Sequence, residues 1–215
     1  MKYRKNGIRV DRVIVDNEIF NENVKPVNMK KNKFTFLSAQ RLGLEKGHDI
    51  IWEALKICKS DFEVLQVKWF VQNNDEEKAI NDELVKEKPT QVRFIPLIKR
   101  KELGQYFAFA DAILGQMKTG IQGAIERYVA YCRKSVLCYT DPEKTMIVDG
   151  EELIPPFLPQ TNDEKILANL IDKVVESKEF RDELVEKQFN YIKRLCEPEK
   201  VISDWEQIFC KELMK

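Results

Sequence analysis

Histidine is nearly absent from this sequence: His48 stands alone among 215 residues. A multi-histidine metal site is therefore excluded. The five cysteines, Cys58, Cys132, Cys138, Cys196 and Cys210, are odd in number and form no CxxC pair. That removes the usual zinc spacing, so no metal site is expected, and it points to a reducing, cytoplasmic compartment. Glycine and proline number only 8 each, too few for a collagen-like or low-complexity chain. No run of 18 apolar residues occurs, so no membrane span is expected, and only peripheral association with a membrane stays open. The basic start after Met1 is not followed by an apolar stretch, so no signal peptide is expected. An excess of one charge is also lacking. The 36 Lys and Arg cancel the 36 Asp and Glu, which offers no bulk field to a nucleic acid and leaves at most a local basic patch.

What is present is a core. Hydrophobic residues make up 43% of the chain, enough to exclude disorder as its main state. Residues 8–17 alternate like a strand and end in a turn signal, and 21–33 is polar and lysine-rich with Pro26, reading as a linker. From Lys33 short apolar segments alternate with helical stripes. Strands are predicted at 34–37, 62–71, 91–95, 112–114 and 135–139. Helices are predicted at 47–60, 75–86, 101–110 and 123–132. A loop rich in Asp, Glu and Pro follows at 140–160, with one more short strand near 154–158. The tail, 162–177, 180–195 and 199–213, reads as helices, with Pro198 at the start of the last. Strands and helices in this alternation predict a Rossmann-like, three-layer α/β/α domain around a parallel sheet, with a helical C-terminal tail.

In such a sheet, ligands bind at the carboxyl ends of the strands near the switch in strand order. Three segments fall there. The first follows strand 34–37 and carries Arg41 and Lys46 around Gly43 and Gly47, so a guanidinium and an ammonium can be aimed at one phosphate-rich ligand. The alternative is a pair of solvated cations on a turn. No G-x-G-x-x-G or Walker A pattern supports dinucleotide or P-loop chemistry. The second follows strand 112–114 and runs Gly115, Gln116, Met117, Lys118, Thr119, Gly120, Ile121, Gln122, Gly123 into a helix carrying Glu126. Gly120 and Gly123 allow close backbone approach, and Glu126 could accept ribose hydroxyls; the alternative is an ordinary helix start. The third is Phe94, Ile95, Pro96, Leu97 and Ile98, which could line a base pocket or simply belong to the core and its turn. His48 could serve as a base, or cap and pack at a helix start.

Taken in order, these segments carry a resemblance. Arg41-Leu42 with Lys46-Gly47 and Asp49 resembles an R-L-x-x-x-K-G-x-D loop. Val92 to Pro96, with Glu102-Leu103, Tyr106 and Ala110-Asp111, resembles a "V-x-F-x-G, E-L, Y, A-D" segment. Gly123, Glu126, Ala130 and Lys134-Ser135-Val136 resemble "G-x-x-x-E-A-M-A-x-G-K-P-V", and Val148-Asp149-Gly150 resembles "V-x-D-G". Asn162-Asp163 with Leu167-Ala168 resembles "D-x-x-x-L-A". These are motifs of the C-terminal, donor-binding half of GT-B retaining glycosyltransferases, glycosyltransferase family 4 or group 1. Residues 13–26 are similar to that family's interdomain linker, so 1–32 reads as linker-like and 33–215 as the nucleotide-sugar-binding domain.

The resemblance implies a hexosyltransferase of cytoplasmic polysaccharide biosynthesis, using a UDP-, GDP- or ADP-linked sugar and no cofactor. It implies that Arg41 and Lys46 grip the diphosphate and stabilise the leaving group. Glu126 would hold the ribose, the backbone at Gly120, Ile121, Gln122 and Gly123 would face the distal phosphate and sugar, and Gly47, Gln116 and Lys118 would belong to the same nucleotide-sugar site. Ile95, Pro96 and Ile98 would meet the base. The acceptor half would come from a missing N-terminal domain or a separate partner chain. The family often has a second glutamate eight residues before the ribose glutamate. Here that position is Lys118, which cannot accept a hydrogen bond. Arg127, Tyr128 and Tyr131 replace the usual small residues. These departures keep a second reading open, a non-catalytic regulatory or interaction domain on the same fold. A receiver-like domain would want acidic residues where Ser38, Ala39 and Gln40 stand. An exposed apolar patch is expected too, with Trp205, Ile208 and Phe209 of the last helix docking on their own domain or on a second copy.

Overall fold

The computed structural model describes residues 14–70 and 73–214. Five strands, β1 (Phe34–Ser38), β2 (Phe62–Val67), β3 (Val92–Ile95), β4 (Ala112–Leu114) and β5 (Val136–Leu137), form one parallel sheet in the order β3-β2-β1-β4-β5. Every β1 residue after Phe34 is buried, as is every residue of β4 and β5, which is what a parallel sheet covered on both faces requires. The register sets Phe36 beside Val64 on one side and Ala112 on the other. The chain first adds β2 and β3 outward from β1, then returns to place β4 on the opposite side. The strand order therefore reverses between β1 and β4, and the crevice at their carboxyl ends is where such sheets bind ligands.

Helices α1 (His48–Ile57), α2 (Asp75–Lys86) and α5 (Glu164–Glu176) cover one face, packing Trp52, Leu55, Leu84 and Ile171 around Phe36, Phe62 and Val64. Helices α3 (Leu103–Phe109), α4 (Ala124–Tyr131) and most of α6 (Lys178–Cys196) cover the other, with Phe107, Val129 and Ile192 on Leu37, Leu65 and Ile113. The ends of α2 are set locally: Asn74 accepts a hydrogen bond from the Glu77 N–H (2.8 Å) and Lys86 closes the last turn. Asp163 caps α5 and Ser177 caps α6 in the same manner. On α6, the Gln188 amide accepts from the Val136 N–H (3.0 Å) and donates to its carbonyl (2.8 Å), so the helix closes the free edge at β5.

The loop expected at 140–160 is more ordered than its composition suggested. Strands β6 (Met146–Val148) and β7 (Glu151–Leu153) pair antiparallel through Asp149 and Gly150, whose φ angles of 53° and 78° make a tight two-residue hairpin turn. The strand expected near 154–158 reduces to one bridge, Leu137 with Leu158, beside the buried Phe157. The strand expected at 8–17 lies mostly outside the described residues; its described end, from Ile14, is irregular and closes in a turn where the Phe20 N–H donates to the Asp16 carbonyl (2.9 Å). Val15 and Phe20 of this linker-like segment nonetheless enter the core, and Phe20 stacks on Tyr128 at 4.2 Å.

The last helix, α7 (Pro198–Leu213), begins at Pro198 as expected. Its apolar residues divide: Val201 is fully buried and Ile208 half-buried, while Trp205 and Phe209, expected to dock, are exposed together with Ile202 and Leu213.

Candidate functional site

The loop leaving β1 is shaped by glycine. A 3-10 turn, Leu44–Lys46, ends at Gly47, which has a φ of +77° and starts α1. That left-handed conformation suits glycine. A Cβ at Gly47 would sit 2.9 Å from the backbone carbon of Met117, so the loop after β1 lies directly against the loop after β4. The Met117 N–H donates to the Lys46 carbonyl at 2.8 Å and fastens the two together. Arg41 is partly exposed, 3.7 Å from Glu45, and lines a cleft of about 240 Å³ of mixed character, with Asn73, Glu77 and Asn81 beside Leu44 and Ile80. Lys46 is half-buried where the two loops meet.

The loop after β4 is organised by Gln116. Its Oε1 accepts from the N–H groups of Lys118 (2.9 Å) and Thr119 (2.7 Å), and its Nε2 donates to the carbonyls of Ile121 (2.9 Å) and Tyr139 (2.8 Å). The Gln116 side chain is thus occupied in shaping the loop. Gly120 takes a φ of +70°. Lys118 is exposed, with Asp49 at 3.8 Å, and Ile121 and Gly123 are exposed beside it. Gln122 is buried and donates to the Tyr191 hydroxyl at 3.1 Å. Glu126 is buried beneath this loop, its two oxygens accepting from the N–H groups of Gln116 (3.0 Å) and Gly123 (2.8 Å). That bond to the residue preceding α4 is a capping-box contact, so in this state Glu126 serves the helix start.

After β3, Ile95 turns into the core, Pro96 is exposed, and Ile98 lines an apolar cleft of about 420 Å³. Ala39, Trp69, Leu97, Ile125 and Tyr128 complete most of its wall, with Arg100 at the rim. Its volume falls in the range of small-ligand sites. The structure therefore brings the three predicted segments to one edge of the sheet, with Lys46 and Gly47 meeting the glycine-rich loop. It does not gather the side chains of Arg41, Lys46 and Glu126 into either of these two clefts.

His48 is fully buried and stacks edge-on against Trp52. Gln66 donates its Nε2 to the carbonyls of Gln40 (3.2 Å) and Val67 (3.0 Å), so its Oε1 is an acceptor. His48 must then carry its proton on Nε2 to reach that oxygen at 3.1 Å, and Nδ1 accepts from the Gly43 N–H at 3.3 Å. Burial pushes His48 below the usual imidazole pKa, against the hydrogen bonds that the charged ring would donate to Gln66 and to the Gly43 carbonyl, 3.2 Å from Nδ1, and against the charges of Glu45 and Asp49. It is a neutral, interior group, not an exposed base. Sequence reasoning missed Gln66 and the Gln40 side chain; the signal was a glutamine inside the apolar run of β2. Burial also pushes the thiols of Cys58, Cys132 and Cys196 up to about 12 and that of Cys138 well up, so none is a ready nucleophile. Among the described residues no group of three or more His, Cys, Asp or Glu is arranged to hold a metal ion, and no helix is long and apolar enough to cross a membrane.

No family model and no curated protein matches the chain. Solved structures do. The chain is similar to a sucrose-phosphate synthase from Thermosynechococcus elongatus, with a TM-score of 0.70 and 17% identity over 96% of this chain and 53% of that one. It is similar to the Anabaena protein Alr3699/HepE in complex with UDP and glucose, with a TM-score of 0.63 and 18% identity over 86% of this chain and 49% of that one. It also resembles the C-terminal domain of a glycosyl transferase group 1 family protein, LpcC, from Francisella tularensis, with a TM-score of 0.58 and 18% identity over 83% of this chain and 96% of that domain. The chain spans about half the length of the first two. These likenesses establish the fold, a Rossmann-like α/β/α domain of the kind found as the C-terminal half of GT-B glycosyltransferases.

Proposed function

We propose that this chain is the nucleotide-sugar-binding half of a retaining hexosyltransferase, with residues 1–32 as the crossover from an acceptor half. That half is supplied by an N-terminal domain or a separate chain, and the reaction belongs to cytoplasmic polysaccharide biosynthesis. The observation that carries the reading is the junction of the two glycine-bearing loops at the switch point, Lys46 carbonyl on Met117 N–H; an apolar cleft large enough for a base opens at the same carboxyl edge of the sheet. A structural neighbour of the same fold is solved with UDP-glucose, which supports a uridine diphosphate sugar as one of the donors to test.

In this reading the base enters the cleft at Ile98, and the diphosphate lies over the loops of Gly47 and Gly120. The hexose passes from the diphosphate oxygen to an acceptor hydroxyl with its configuration kept. Negative charge grows on the departing nucleoside diphosphate, and Arg41 and Lys46 stabilise it by charge-assisted hydrogen bonds in a partly dry site. No cofactor takes part; the donor is a substrate. Lys118, exposed where an acidic residue is usual in the resembling family, favours a donor sugar carrying negative charge.

Calorimetric titration with UDP, GDP and ADP and their sugars tests the reading. The parent chain binds at least one, and Arg41→Ala or Lys46→Ala weakens binding by about 1.5–3 kcal/mol, the typical worth of a hydrogen bond to a charged group. A second reading, a non-catalytic regulatory or interaction domain, is favoured by one observation: both Glu126 oxygens are already held by backbone N–H groups. Absence of binding to every nucleotide selects that reading.

A further inference from the structure

We infer that His48, Gln66 and Gln40 are positioning residues that tie the two ligand-facing loops into one rigid edge, an inference that rests on the nucleotide-sugar reading for its purpose. The relay is continuous. The Gly43 N–H donates to His48 Nδ1 (3.3 Å), His48 Nε2 donates to Gln66 Oε1 (3.1 Å), and Gln66 Nε2 donates to the Gln40 carbonyl (3.2 Å). Gln40 Nε2 then donates to the Gly115 carbonyl at 2.8 Å. The path starts in the turn that carries Arg41 and Lys46, crosses the carboxyl ends of β2 and β1, and ends at the first residue of the glycine-rich loop. All three side chains are buried, with exposures of 0% for His48 and Gln66 and 4% for Gln40. In such surroundings each hydrogen bond is hard to replace with water, and breaking one strands its partners.

The relay also has a direction. Gln66 can orient only one way because it faces two carbonyls, and that orientation selects the His48 tautomer, which in turn receives the Gly43 N–H. Gly43 meets His48 Nδ1 through both its N–H (3.3 Å) and its carbonyl (3.2 Å), so either ring state keeps a contact to that turn. The relay therefore holds Gly43 and Gly115 in a fixed relation, beside the direct tie from Met117 to Lys46. A diphosphate spanning both loops would find the loops already held in relation to each other, which lowers the ordering cost of binding.

Near-isosteric variants test this. His48→Phe keeps the ring against Trp52 and removes both of its hydrogen bonds; Gln40→Met keeps length and removes the donor to Gly115. Two readouts are needed. In hydrogen exchange, the amides of Gln116, Met117, Lys118 and Thr119 should exchange at least tenfold faster in either folded variant, while those of α5 and α6 do not change. Unchanged exchange at 116–119 overturns the coupling. In titrations, affinity for the nucleoside diphosphate should fall about tenfold while affinity for the matching nucleoside is kept; equal loss of both, or loss of neither, overturns the positioning role. If His48→Phe does not fold, Gln40→Met decides alone. If the parent binds no nucleotide at all, the proposed function fails, and exchange at 116–119 still decides whether the relay couples the loops.

Discussion

Replacing Gly47 by alanine tests whether the two loops meet as described. Two costs add at this position. The first is conformational: a φ of +77° is left-handed, and a Cβ there costs about 1–2 kcal/mol. The second is steric. The new Cβ would lie 2.9 Å from both the backbone carbon and the Cβ of Met117, atoms fixed by β4 and by the bond to Lys46. Forcing them apart is an overpacking event, worth about 1–3 kcal/mol. The total is roughly 2–5 kcal/mol, and at about 2–4 °C per kcal/mol for a chain of this size Tm should drop by roughly 4–20 °C. Gly150 supplies an internal control. Its φ is +78°, nearly the same, yet nothing lies within 4 Å of its added Cβ. Gly150→Ala should therefore show the conformational cost alone. Urea denaturation of the parent and both variants separates the two terms. If Gly47→Ala is no less stable than Gly150→Ala, the loops do not touch as described, and the nucleotide site built on their contact loses its basis.

Further outcomes follow from the same packing. Phe20→Ala should cost about 3–5 kcal/mol in denaturation, because Phe20 is fully buried between Phe107 and Tyr128; a neutral result would mean that the segment before β1 is not part of the folded unit. Gln188→Leu should cost about 1–3 kcal/mol by stranding the N–H and carbonyl of Val136 at the sheet edge, again read by urea denaturation. For His48 the sign is set by burial. Its pKa is lowered in the folded state, so below about pH 6.5 the unfolded chain takes up a proton that the folded chain refuses. Stability then falls as pH drops, by up to about 1.4 kcal/mol per unit, until the folded His48 also titrates. His48→Phe should flatten this slope between pH 6.5 and 5.5, and an unaltered slope would contradict the buried neutral imidazole. A maleimide at pH 7.5 should label the exposed Cys210 well before Cys132, Cys138 or Cys196, as peptide mapping would show.

Local signals carried most of the architecture. Helix α2 is found at 75–86, as read, because Asn74, the acids of its first turn and Lys86 mark both ends in the sequence itself. Strand β4, three apolar residues between Asp111 and Gly115, was equally plain. The hairpin of β6 and β7 was overlooked although Asp149-Gly150 is a strong turn signal; the surrounding prolines and acids made the stretch read as loop. The site was harder. Glycine and cation spacing located the loops, but how each side chain is used depends on residues distant in sequence. Gln40 meets Gly115 75 positions away, and His48 meets Gln66 18 positions away. Glu126 could be read as a ribose ligand or a helix-start residue, and only the backbone fold around Gln116 shows where its oxygens go.

The proposed function requires that a nucleoside diphosphate bind at the carboxyl edge of β1 and β4. Amide and methyl NMR spectra, recorded as UDP, GDP or ADP is added, test it most directly. Saturable shifts should concentrate at Gly43, Gly47, Gly115, Gly120 and Gly123 and at the methyls of Ile98 and Ile125. Spectra that do not move, or shifts confined to a different face such as the exposed stripe of α7, would contradict it.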